Sequence, residues 1–147
     1  MIAATTQLNT AGADLAAIEG MNAMTDITGF GLLGHLLEIT RASKVAARAE
    51  LARLPLLPGV DTLAQGGHVT GASERNWASY GSEVSLADGI ADWQRALLTD
   101  PQTSGGLLVS CTPASREAVL EIFRTHGFAQ ATEIGRLEAG SDVSIVA

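Results

Sequence analysis

Ala4, Leu8, Ala11, Leu15 and Ile18 recur three or four residues apart, a stripe that predicts an amphipathic helix stopped by Gly20. Residues 22–25, NAMT, predict a short strand. In GFGLLGHLLEITRAS, residues 29–43, Phe30, Leu32, Leu33, Leu36, Leu37 and Ile39 spread almost all round a helix, which is therefore expected to be buried on more than one side. KVAARAEL, 44–51, predicts a strand, and LPLLPGVDTLAQGG a turn followed by one or two helical turns. From residue 66 to 85 no period persists and Gly and Ser recur, so a long loop is expected. Ile90, Trp93 and Leu97 share a helical face that Asp88 can cap, and Pro101 ends that helix near Thr99. GGLLVSC then predicts a strand. TPASREAVLEIFRTHG predicts a helix with Thr112 as cap, Pro113 at its first position and Gly127 at its stop. Two strands near 131–138 and 142–147, joined by a turn around Gly140, complete the pattern.

This alternation implies a mixed sheet covered by helices: an α/β or α+β domain with α/β/α layering. The 147 residues fit a single domain, 1–147, able to bury roughly 70% of its unfolded surface. With 46% hydrophobic and 17% charged residues the chain has the composition of a globular protein. Its net charge of -7 and scattered arginines argue against nucleic acid as a partner. No apolar run reaches the roughly 18 residues that span a bilayer, and no signal peptide opens the chain, so neither membrane nor export is expected. The lone Cys111 excludes an internal disulfide, and a reducing, cytoplasmic location follows as the expectation.

GFGLLG, 29–34, spells the Gly-x-Gly-x-x-Gly of dinucleotide-binding helices, and Glu50 ends a following strand where a ribose-binding acid could stand. Polar Thr25, Asp26 and Thr28 interrupt the strand that this fingerprint requires. A Gly-rich helix entry nevertheless exposes backbone N–H groups and a positive dipole end to an anion. Beside it Asp26 could be a hard oxygen ligand for magnesium; equally, Thr25, Asp26 or Thr28 could cap the helix. TDPQTSGG, 99–106, has the same double character, with Thr103, Ser104, Gly105 and Gly106 serving either a turn or a binding loop. Glu74, Arg75 and Asn76 read as solvated loop residues. His35, His68 and His126 are too dispersed for a metal site, and Cys111, ending an apolar strand, reads as an inert thiol.

TDITGFGLLGH (25–35), GASERNWASYG (71–81) and LTDPQTSGGLLVS (98–110), in that order, closely resemble the C-terminal half of the selenophosphate synthetase (selenide, water dikinase) family, and the similarity runs over nearly the whole chain. The resemblance implies the superfamily that includes aminoimidazole ribonucleotide synthetase, thiamine monophosphate kinase and a hydrogenase maturation factor, whose members have two α/β domains. It implies conversion of ATP, selenide and water to selenophosphate, AMP and phosphate with Mg2+. Asp26 matches a metal-binding aspartate. Thr28, Gly29, Gly31, Thr103, Ser104 and Gly105 match positions expected to line the phosphate end of the cleft. The partner implied is an N-terminal ATP-binding domain, absent from this chain, which carries the reactive Cys or selenocysteine; Cys111 does not correspond to it. Further expectations are a homodimeric full-length enzyme and an inactive isolated chain. The alternatives are another ATP-using kinase or synthetase of the superfamily and a non-catalytic assembly module.

Overall fold

The computed structural model describes residues 5–147; Ala4 lies outside them. The first helix lying wholly within them, α1 (Ala11–Leu15), is shorter than its stripe predicts. Leu8 precedes it and is 74% exposed, while among the described residues of that stripe only Ala11 and Leu15 are fully buried. The two residues before the helix are instead engaged as tethers, Asn9 to the Gly105 carbonyl and Thr10 to His126. Strand β1 (Met21–Asp26) leads through a four-residue loop into α2 (Gly31–Ser43), the central helix. Lys44, in the left-handed conformation, ends α2, so β2 begins at Ala46 and runs to Glu50. After a 3-10 turn come α3 (Val60–Gln65), α4 (Gly71–Tyr80), β3 (Val84–Leu86) and α5 (Asp92–Leu98). Strand β4 (Leu107–Cys111), α6 (Arg116–Thr125), β5 (Gly135–Glu138) and β6 (Val143–Val146) complete the order.

Two expectations fail here. The stretch 66–85 is not a long loop: Thr70 caps α4 by accepting the Ser73 N–H, and β3 follows. Asp88 does not cap α5; the cap position is Ala91, whose N–H donates to Gln94 Oε1 at 2.8 Å.

The strands form two sheets. In the larger, ordered β3-β6-β2-β5, the first three strands are parallel and β5 is antiparallel to β2, which makes the sheet mixed as expected. The other is the antiparallel β1-β4 ribbon. Because β1 and β2 lie in different sheets, the Gly-x-Gly-x-x-Gly stretch sits in no parallel βαβ unit, which removes the dinucleotide reading.

Alternation along β4 makes the ribbon a wall between two cores. Leu108 faces the main core, where Leu33, Leu36 and Leu37 of α2 meet Ala47, Ala49, Val143 and Ile145 of the mixed sheet. Leu107 and Val109 face the second core, built on Ala11 and Leu15 of α1 with Val119 and Phe123 of α6. Helices thus cover strands on both sides, in keeping with the layered α/β class.

Candidate functional site

The ribbon's register positions the site. Asp26, the last residue of β1, pairs with Leu107, the first of β4, so the loop leaving β1 and the loop entering β4 emerge at one end. The pairing continues one step beyond the strands, where the Ile27 N–H donates to the Gly106 carbonyl at 2.9 Å. The Thr28 carbonyl accepts N–H groups from both loops, Gly31 at 3.1 Å and Gln102 at 3.0 Å. At two points this approach tolerates only glycine. Gly31 has φ +68°, and a Cβ there would lie 2.7 Å from the carbonyl carbon of Thr99; a Cβ on Gly105 would collide with the Ile27 carbonyl oxygen.

Helix α4 fastens the pair from the side. Asn76 Nδ2 donates to the carbonyls of Gly29 and Thr99, both at 2.9 Å. The Tyr80 hydroxyl donates to the Phe30 carbonyl at 2.6 Å, and burial, offset in part by the Gly34 N–H, pushes its pKa up to about 12. Asp100 Oδ1 accepts from the Thr70 hydroxyl at 3.0 Å and from Ser73 Oγ at 3.3 Å, while Gln102 Nε2 approaches Oδ2 at 3.3 Å.

Beneath the first loop lies His35, 6% exposed. Its Nε2 accepts the Thr28 N–H at 3.0 Å and the Thr28 hydroxyl lies 3.1 Å away, so the ring's proton sits on Nδ1 and is donated to Glu38 at 2.8 Å. The hydroxyl of Thr28 is thereby used within the fold. Ser104, left-handed at φ 56°, donates its hydroxyl to the Thr5 carbonyl at 3.0 Å. Gly29 faces open space, and the exposed Thr103 hydroxyl has no hydrogen-bond partner among the described residues.

Asp26 is exposed, and among the described residues its carboxylate has neither a hydrogen bond nor an ion pair. It is not the cap of α2; that position is Phe30, which makes no side-chain capping bond. A free anionic oxygen donor suits a divalent cation chemically. One carboxylate is an incomplete set, however, and among the described residues no three His, Cys, Asp or Glu side chains converge. Neither loop contains Lys or Arg that could offset a polyphosphate. A mostly apolar cleft of about 1770 Å³ is lined in part by Gln102 and Ser104, but not by Asp26, Gly29 or Thr103. The two loops accordingly present an open surface with one exposed carboxylate beside it.

Of the residues singled out in the sequence, Thr28, Gly29, Thr103, Ser104 and Gly105 lie on these two adjoining loops, with Asp26 at the end of β1 and Gly31 at the start of α2 bounding the first. Gly31 and Gly105 face neighbouring backbone rather than open space. Cys111 stands apart on β4, where burial, and then the charge of Glu133, raise its thiol pKa. Asn76, Tyr80, Asp100 and His35 were not recognised as parts of the site. For Asn76, Tyr80 and His35 the signal was a polar side chain on an inward helical face, which no search for apolar periodicity registers.

The family described as "AIR synthase related protein, C-terminal domain" matches residues 3–147. The chain belongs to this family. Selenide, water dikinase of Pseudomonas straminea is 58% identical over 141 residues, covering 96% of this chain and 40% of the relative. That of Rhizobium meliloti is 52% identical with the same coverage. The chain thus spans about 40% of the length of these curated relatives. Two solved structures share its fold. E. coli HypE, a hydrogenase maturation protein, superposes with TM-score 0.61 at 18% identity, over 92% of this chain and 34% of that one. Thiamine-monophosphate kinase from Stenotrophomonas maltophilia gives 0.54 at 19%, over 86% and 31%. As a member of the AIR synthase related family, the chain carries its three motif stretches, 25–35, 71–81 and 98–110, on one loop-and-helix assembly, and no helix among its described residues is long and apolar enough to cross a membrane.

Proposed function

We propose that this chain is the C-terminal domain of a selenide, water dikinase and forms one wall of a composite site for ATP, whose other wall belongs to an N-terminal ATP-binding domain. The observation that carries the reading is the unpartnered Asp26 carboxylate at the mouth of two loops held in backbone contact. In this reading Asp26 supplies one hard oxygen ligand to Mg2+, and Gly29 and Thr103 face the phosphates. A bound magnesium ion would neutralise phosphate charge and polarise the phosphoryl oxygens during transfer. The domain's own part is to present Asp26 on a rigid loop: His35 fixes Thr28 from below, and Gly31 and Gly105 permit the close approach that keeps both loops narrow. Selenide and the reactive thiol or selenol belong to the other domain, and the working enzyme is a cytoplasmic homodimer. By itself the chain lacks the cations and enclosure needed to hold a triphosphate, so it neither binds ATP tightly nor turns it over.

A domain replacement tests this. In the Pseudomonas straminea dikinase the segment that this chain matches is exchanged for residues 3–147. Selenide-dependent AMP formation by the chimera is expected, with none by the chain alone. A folded chimera without selenide-dependent AMP formation contradicts the assignment, as does micromolar ATP binding by the chain itself.

A further inference from the structure

We propose that Asn76 is a positioning residue for this site: its amide nitrogen holds the two loops in register, so that α4 sets the geometry at which Asp26 meets its ligand. The inference rests on the reading that the two loops form the phosphate-end wall.

The geometry explains the residue type. Where Gly31 packs against Thr99, the loops bring the carbonyls of Gly29 and Thr99 to one point on α4. Two carbonyl oxygens converging there repel each other unless donors stand between them. Asn76 Nδ2 carries two protons and meets both oxygens at 2.9 Å, so each proton has one acceptor. The opposite orientation of the amide would set Oδ1 against both oxygens, which fixes its direction. A serine or threonine hydroxyl has one proton for two acceptors, an aspartate has none, and glutamine is one methylene too long. The neighbouring tethers are one-sided by comparison: Tyr80 reaches only the first loop, and Thr70 and Ser73 reach only Asp100 of the second. Asn76 alone among these α4 side chains spans both.

Amide exchange in the chain tests the proposal without ATP or metal, at Gly31 and Gln102, whose N–H groups both donate to the Thr28 carbonyl. Asn76→Asp keeps the side chain's shape and removes both donors. Exchange at Gly31 and Gln102 is expected to rise together by about tenfold or more, as for the loss of one to two hydrogen bonds, and well beyond any rise at Ala47 in the mixed sheet, in a chain that still melts cooperatively. Tyr80→Phe is expected to raise exchange at Gly31 without raising it at Gln102. In the chimera, assayed well below its melting temperature, Asn76→Asp should lower kcat/KM for ATP by roughly tenfold. Unchanged exchange at either amide overturns the proposal, and so does a rise spread evenly over the whole chain. Raised loop exchange with full kcat/KM overturns it too, since the loops' register would then not matter to the site. The exchange results do not depend on whether Asp26 binds metal, which the chimera's response to Asp26→Asn decides separately.

Discussion

Thr25-Asp26 and Thr99-Asp100 are the same dipeptide at the entrance of two Gly-containing loops, yet the structure uses their acids in opposite ways. The Asp100 carboxylate is half-buried and receives the Thr70, Ser73 and Gln102 side chains. The Asp26 carboxylate, at the end of a strand, receives none among the described residues. An acid whose lone pairs are occupied by hydroxyl and amide donors builds the loop; an acid left without donors is available to a ligand from outside. Sequence context does not separate the two cases, because two of the three partners of Asp100, Thr70 and Ser73, come from the start of α4, some thirty residues upstream.

The loops can be broken apart most severely at their closest contact. Gly105→Ala drives a methyl group into the Ile27 carbonyl and is expected to cost about 3 kcal/mol or more, read as a lowered midpoint in denaturant melts. The tether of the first loop comes next. Tyr80 has its folded pKa raised to about 12 from 10.0, so its contribution is complete below pH 10 and is lost as pH rises from 10 through 12. Across that window wild-type stability is expected to fall by on the order of 2 kcal/mol more than that of Tyr80→Phe, which has no proton to lose. Removing the tether of the second loop, Asp100→Ala, is expected to cost about 1–2 kcal/mol, because the Thr70 hydroxyl loses an anionic acceptor while that of Ser73 keeps the Ala96 carbonyl. Asp26→Asn should shift stability by less than about 0.5 kcal/mol, since the side chain has no partner to lose. Equal effects at Asp26 and Asp100 in thermal melts would erase the distinction between them.

Much of the fold was legible because its signals were apolar. The all-round pattern of α2 gave a helix buried on two sides, and Leu107, Leu108 and Val109 gave a strand whose alternate residues face two cores. Helix α4 was missed because its inward face is Ser73, Asn76, Trp77 and Tyr80: helical spacing, but mostly polar groups that pack by hydrogen bonding. The site followed the same division. The loops announced themselves through Gly31 and Gly105, which only a close backbone approach explains, and through Asp26, which the resemblance singled out. The residues that hold them, Asn76, Tyr80 and His35, act through geometry that no local sequence window contains. The separation of β1-β4 from the mixed sheet was likewise illegible, because strand pairing depends on segments some eighty residues apart.

The central claim is that Asp26 is kept free for a metal ligand's role while Asp100 is structural. The most direct measurement is selenide-dependent AMP formation by the chimera at limiting Mg2+, comparing Asp26→Asn with Asp100→Asn at matched melting temperatures. The account predicts that Asp26→Asn loses on the order of a hundredfold or more in activity with an unchanged melting temperature, whereas Asp100→Asn, which retains a side-chain acceptor, loses roughly tenfold or less. Activity of Asp26→Asn within twofold of the parent at limiting Mg2+ would contradict it.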